Sequence, residues 1–212
     1  MSAVEAEPAF AAPIFGDRLN LARRFADELA QHGETLGLIG PLEIPRLWTR
    51  HIANCGLVAP LLASATRVGD VGSGAGLPGL VLALSRPDVE FVLIEPMERR
   101  VEWLTRQVAV LGLANVEVLR ARAEDCAGLN LDAVTARAVS ALRTLIPLTA
   151  PLAKRGGELI LMKGAGAANE IAAAAKQIAK YKLRDVDVVE LGGGVLGEAT
   201  WVVRAKVDGL AR

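Results

Sequence analysis

Aromatic residues are scarce: one tyrosine, three tryptophans and four phenylalanines, 4% of 212 residues. A core with so few rings must be aliphatic, and a hydrophobic content of 52% supplies enough material for one. Cysteine is nearly absent. Cys55 and Cys126 cannot staple a chain of this length, and with only His32 and His51 beside them they cannot complete a four-ligand zinc site. No metal is expected, and both thiols are expected to be reduced. Long apolar runs are missing too. The longest, Leu57 to Ala65, contains Pro60 and falls far short of the roughly 20 residues that cross a bilayer. The N-terminus, MSAVEAEPAFAAP, has neither a basic region nor a sustained apolar one, so it does not read as a secretory signal. A cytoplasmic protein with no membrane partner is expected. Net charge of either sign is absent, with 24 basic and 24 acidic residues. That balance excludes a highly basic tail and an acidic disordered chain, while leaving room for a local basic face. Lysine is the minor cation, six against eighteen arginines. Arginine is the planar, bidentate cation suited to phosphate.

Residues 1–13 are rich in Ala, Pro and Glu and are expected to fray. Residues 14–64 read as a helical segment packed on the core. Phe15, Leu19, Ala22, Ala26 and Leu29 recur at helical spacing, and a second helical stretch runs from Pro45 to Leu62. Residues 65–208 alternate between apolar strands and helices, which predicts an α/β domain with a mainly parallel, doubly wound, Rossmann-like sheet. The last two strands, Leu183 to Leu191 and Ala199 to Val207, are separated by a glycine turn with no crossover helix. They are predicted to pair antiparallel as a C-terminal hairpin.

The most informative segment is Asp70-Val71-Gly72-Ser73-Gly74-Ala75-Gly76-Leu77-Pro78-Gly79. Glycines at alternate positions between a strand and a helix let backbone approach a ligand closely. Gly74 to Gly79 also matches the G-x-G-x-x-G dinucleotide fingerprint, so an NAD-dependent oxidoreductase is one reading. Two features oppose it. The tight turn begins at Gly72, one step early, and the charge on Asp70 would repel a diphosphate. That charge would instead favour the ammonium and sulfonium of S-adenosylmethionine. The pattern D-x-G-x-G-x-G resembles motif I of the Rossmann-like methyltransferases. Glu95, at the tip of the next strand, can accept both hydroxyls of a ribose. Glu124, in Ala123-Glu124-Asp125 after the third strand, can accept from an adenine amino group.

The chemistry is narrowed by elimination. No Asn/Asp-Pro-Pro-aromatic loop follows the fourth strand, where methylation of exocyclic amino groups commonly uses one. Neither cysteine is placed as the nucleophile of a pyrimidine C5 methyltransferase. An acceptor that is already nucleophilic, such as guanine N7, needs no general base and is compatible with this sequence. Candidate substrate contacts are basic residues: Arg137 and Lys163 closing the fourth and fifth strands, Arg99 and Arg100 starting the helix after the second, and Arg50 and His51 on the N-terminal helical segment. Other readings are a methyltransferase for another RNA or a small molecule, and a non-catalytic RNA-binding module on the same fold.

Arg50-His51-Ile52, the segment Asp70 to Gly79, Arg99-Arg100, Ala123-Glu124, Arg137-Ala138 and Lys163-Gly164 together resemble the 16S ribosomal RNA guanine-N7 methyltransferases, also called glucose-inhibited division protein B. The resemblance spans roughly residues 45–207. It implies a class I S-adenosylmethionine-dependent methyltransferase fold in residues 65–208. It also implies S-adenosylmethionine as cofactor, S-adenosylhomocysteine as product, and N7 of one guanine in 16S rRNA or the small ribosomal subunit as target. A monomer is expected. Carried over by position, Asp70, Gly72, Gly74, Gly76, Leu77, Glu95, Ala123, Glu124 and Arg137 are the cofactor contacts. Arg137, Lys163 and His51 are the catalytic candidates, and Arg50, His51, Arg99, Arg100 and Lys163 the RNA contacts. Two places depart from the pattern. Asn54 stands where several relatives have Asp, and Ala199 and Thr200 stand where relatives often have a basic residue.

Overall fold

The computed structural model describes residues 4–194 and 199–209. Seven strands form one sheet: β1 (Arg67–Val71), β2 (Glu90–Ile94), β3 (Val116–Leu119), β4 (Leu131–Arg137), β5 (Ala153–Lys163), β6 (Leu183–Leu191) and β7 (Thr200–Val207). Their order is β3-β2-β1-β4-β5-β7-β6. All pairings from β3 to β5 are parallel, and β7 runs antiparallel to both β5 and β6. The expected hairpin is present, with its return strand inserted between β5 and β6.

The helices cover both faces, which is why β1, β2 and β4 are buried along most of their length. One face carries α1 (Ala11–Phe15), α2 (Leu19–His32), α3 (Ala53–Gly56), α4 (Gly79–Ser85) and α5 (Glu98–Leu111). The other carries α6 (Leu142–Thr149), α7 (Ala167–Ala173) and α8 (Ala175–Lys180). On α2, Ala22, Phe25, Ala26 and Leu29 form the buried stripe. Burying Phe25 and Leu29 contributes about 1.5–3 kcal/mol each. Among the described residues, no helix is long and apolar enough to cross a membrane.

Three elements differ from expectation. The helix expected to start at Phe15 is broken by Gly16, whose φ of 50° ends α1 before α2 begins. The stretch from Pro45 to Leu62 is a chain of short turns: a 3₁₀ turn at Pro41–Arg46, a wide π turn at Leu47–Ile52, α3, and a further 3₁₀ turn at Ala59–Leu62. Pro45 and Pro60 each lack the N–H that a continuous helix needs. The expected helix over 167–181 bends at the buried Ala174, so that α7 and α8 both lie against α6. Within the segment expected to fray, Glu5 accepts hydrogen bonds from the backbone N–H and hydroxyl of Thr49, and Glu7 pairs with Arg23.

Strand order reverses between β1 and β4, and open α/β sheets bind ligands outside the C-terminal strand ends at such a switch point. Asp70, Glu95, Arg137 and Lys163 all lie at that edge.

Candidate active site

The glycine turn leaves β1 and enters α4. Gly72, Gly74 and Gly76 have φ of 69°, 53° and 94°, values that L side chains resist. An added Cβ at Gly72 would lie 2.9 Å from Val139 Cγ2, so the loop after β4 packs directly on the bend. The turn is fastened from beneath by two carboxylates. Asp70 is 0% exposed. Its Oδ2 accepts from Gly79 N at 3.0 Å, and its Oδ1 accepts from the Thr135 hydroxyl at 3.1 Å. Glu95 is 1% exposed and accepts from Gly74 N and Met97 N, each at 3.0 Å.

This geometry corrects the expected role of Asp70. Its carboxylate does not face a ligand but points inward, holding the first amide of α4. Thr135 escaped the sequence reading, although it is the direct β4 partner of Asp70 in the sheet register. Glu95 likewise closes the turn, leaving only its remaining lone pairs for a ribose. The same inventory weighs against a dinucleotide. A diphosphate site needs free amides in the turn. Here Gly72 and Ser73 donate to Ile94 O, Gly76 and Leu77 donate to Ser73 O, and Gly74 and Gly79 donate to the two carboxylates.

Burial pushes the Asp70 carboxyl up to about 7 from its ordinary 3.8. The folded protein therefore holds a proton that the unfolded chain has released, and stability falls as pH rises from about 4 to 7. Asp70→Asn mimics the protonated acid. Its oxygen accepts from Gly79, and its amide donates to Thr135 Oγ1, whose own proton reaches Gly69 O. The melting temperature of Asp70→Asn relative to the natural chain is expected to rise by several degrees between pH 5 and pH 8, an effect on the order of 2–4 kcal/mol. A difference that stays constant over that range would contradict the assignment.

Beside the turn, a cleft of about 870 Å³ opens at the ends of β4, β5 and β7. Arg46, Thr49, Arg50, Asn54, Arg137 and Lys163 are among its lining. Arg137 ends β4. One of its terminal nitrogens donates to Cys55 Sγ at 3.2 Å, and the other to Arg50 O at 3.1 Å and His51 Nδ1 at 2.8 Å. All three acceptors are uncharged, so the guanidinium is fixed without being neutralised. The π turn brings Arg50 O, His51 and, just beyond it, Cys55 to this one side chain. His51 Nε2 lies 2.6 Å from Glu43 Oε2. Burial, and then the charge of Arg137, hold His51 uncharged down to about pH 4. With both nitrogens engaged, His51 is not placed to act as a general base, and its position is a supporting one.

Lys163 pairs with Glu170 at 2.8 Å and donates to Ser140 O at 2.8 Å, with its side chain 9% exposed. Glu170 also accepts from Leu142 N, so this pair anchors the loop that lies over Gly72. On the cleft floor the two departures from the family pattern meet: the Asn54 amide donates to the Thr200 hydroxyl at 2.5 Å.

The family model described as rRNA small subunit methyltransferase G, GidB, matches residues 18–197. The chain belongs to the GidB family. A ribosomal RNA small subunit methyltransferase G from Leifsonia xyli subsp. xyli is 65% identical over 205 residues, spanning 96% of this chain and 98% of the relative. Another, from Thermobifida fusca, is 47% identical over 195 residues, spanning 92% and 82%. Two solved structures share the fold. A cofactor-bound protein from MTB has a TM-score of 0.59 at 20% identity, with 97% of this chain and 99% of that one covered. A SAM-dependent O-methyltransferase from Thermotoga maritima has a TM-score of 0.57 at 16% identity, with 76% and 66% covered. The fold is that of the class I S-adenosylmethionine-dependent methyltransferases.

In this GidB-family chain the remaining candidates divide into two groups. Arg50, His51, Arg137 and Lys163 gather at the cleft. Arg99 and Arg100 begin α5 on the other side of the glycine turn. Arg100 lies 3.8 Å from Glu95, and exposed Arg99 sits over Gly37. Ala123 and Glu124 form a turn after β3, with Ala123 buried and Glu124 exposed. Leu77 is buried in the glycine turn. Both cysteines are buried. Among the described residues, no group of three or more His, Cys, Asp or Glu could hold a metal ion. Glu43 and Glu170 were not legible as site residues. Each reaches its partner from a separate element, and no periodicity marks either.

Proposed function

We propose that this chain transfers a methyl group from S-adenosylmethionine to N7 of a guanine in 16S ribosomal RNA, within the small subunit or its precursor. The observation that carries the reading is the state of the cleft. Arg46, Arg50, Arg137 and Lys163 line it, and the groups able to take a proton are already engaged. His51 has both nitrogens bonded, and Glu170 is held below the ordinary carboxylate range. Partial burial opposes that shift in Glu170, but Lys163 and the Leu142 N–H outweigh it. Such a cleft suits an electron-rich, polyanionic acceptor that has no proton to lose. Guanine N7 is a lone pair of that kind.

The turn residues fit the donor. A side-chain-free bend lies over the buried Asp70 and Glu95, which hold its shape without competing for space. When bound, the cofactor supplies an electrophilic methyl group on a sulfonium. Gly72, Leu77, Ala123, Glu124 and Arg137 would hold it, and Glu95 would bond the ribose with lone pairs not used by Gly74 and Met97. The chain contributes placement and electrostatics, which suffice for direct displacement. Arg50 and Arg99 are the RNA phosphate contacts in this reading. Lys163 acts mainly by fixing the loop over the turn. A cytoplasmic monomer acting on ribosomal RNA follows from the same reading.

Two measurements test it. Calorimetry is expected to detect S-adenosylhomocysteine binding and no NAD binding. Mapping of N7-methylguanine on small-subunit RNA, from cells with and without the gene, is expected to reveal one site lost with the gene. Tight NAD binding, or an unchanged methylation map, would sink the proposal.

A further inference from the structure

We propose that Glu43 is a positioning residue for methyl transfer: its carboxylate fixes the tautomer of His51, and His51 fixes the guanidinium of Arg137. The proposal rests on the reading of Arg137 as part of the transfer site.

A guanidinium only donates, so the His51 Nδ1 that faces Arg137 at 2.8 Å must carry a lone pair. The ring proton then sits on Nε2, pointing at Glu43 Oε2 2.6 Å away. A proton on Nδ1 instead would set two donors against each other. Glu43 removes that alternative by rewarding the Nε2–H form. Once ionised, the Glu43 carboxyl can only accept, so it cannot present a proton of its own to Nε2. Partial burial opposes its ionisation, but His51, Arg50 and Arg46 together hold the carboxyl below its ordinary range. The same Oε2 lies 3.1 Å from Arg50 Nε, so one oxygen holds both a cleft-lining arginine and the histidine behind Arg137.

The connection also gives the N-terminal segment a role in the chemistry. Glu43 lies on the 3₁₀ turn at Pro41–Arg46, His51 on the π turn, and Arg137 at the end of a central strand. The chain of bonds therefore runs from the helical segment into the sheet edge. The ion pair of Glu43 with half-exposed Arg46 is of the exposed kind that contributes little, so the weight of the arrangement lies on its bonds to Arg50 and to buried His51.

The test uses the full chain, labelled S-adenosylmethionine and small-subunit particles from cells lacking the gene as methyl acceptor. Glu43→Ala is expected to lower kcat/KM by about 10- to 100-fold, the scale on which losing a histidine's outer-shell partner acts in metal sites. Glu43→Gln should recover most of that loss, because its carboxamide oxygen still accepts from Nε2–H. His51→Gln should likewise outperform His51→Ala, since a carboxamide offers one acceptor and one donor. In an Arg137→Ala background, Glu43→Ala should cost nothing further. An equal loss in both backgrounds, or Glu43→Gln as impaired as Glu43→Ala, would overturn the proposal. If Arg137→Ala alone keeps full activity, the reading of Arg137 fails, and the fault is located there rather than in Glu43. Nitrogen-15 spectra need no variant to fold. With only two histidines in the chain, His51 is expected to show the neutral Nε2–H pattern from pH 6 to 8. A protonated ring, or an Nδ1–H pattern, would overturn the proposal.

Discussion

Arg137→Ala is expected to reduce methyl transfer by about 10²–10³-fold, the scale at which preorganised electrostatic groups act. Its melting temperature is expected to fall by only a few degrees. The asymmetry follows from the partners of Arg137. Cys55 Sγ, Arg50 O and His51 Nδ1 are uncharged, so removing the guanidinium strands no buried counter-charge. Arg137 and Arg50 line the cleft, so truncating Arg137 opens a path by which water can reach the acceptors behind it, Cys55 Sγ and His51 Nδ1. Arg137→Lys is expected to remain impaired. An ammonium on a flexible stem cannot span three acceptors with the geometry of a planar fork. Single-turnover transfer from labelled cofactor, alongside thermal melts, checks both parts. A proportionate loss of stability and activity would make Arg137 a structural residue and remove the central cation from the site.

Gly79→Ala is expected to destabilise the protein by about 1–3 kcal/mol and to abolish S-adenosylhomocysteine binding. The backbone at Gly79 makes no special demand, since it starts α4 with ordinary helical geometry. The constraint is space. A Cβ there would lie 2.3 Å from Leu93 Cδ2 and 2.6 Å from Asp70 Oδ2. The carboxylate is fully buried and already accepts from the Gly79 amide, so it cannot move aside without releasing the turn. Displacing it shifts the segment from Gly72 to Leu77, on which the donor would rest. Gly40→Ala is the control. Nothing lies within 4 Å of a Cβ built at that position. Melts and calorimetry on both variants are the measurement. If Gly79→Ala melts and binds like Gly40→Ala, the packing between β1, β2 and α4 has been misassigned.

Much of this protein was legible without coordinates, because the relevant signals are local. Alternating apolar runs and glycine turns give the order of strands and helices. The missing crossover between the last two strands gives an antiparallel end. The spacing from Asp70 to Gly79 marks a glycine turn between a strand and a helix, while Arg50 and His51, named from the N-terminal segment, meet Arg137 and Lys163 only in the folded chain. What the sequence could not supply is direction. Asp70 carries the charge of a ligand contact, yet β1, β4 and α4 close around it and turn it into the fastening of the bend. His51 reads as a catalytic and RNA-contact candidate, but Glu43 and Arg137, eight residues before it and eighty-six after it, engage both its nitrogens. Lys163 reads as a catalytic and RNA-contact candidate, and Glu170 from a later helix claims it. A residue type fixes what a side chain can donate, accept or hold as charge. Which partner meets it depends on long-range packing, where burial makes an unsatisfied polar group costly and so selects the contacts that satisfy it.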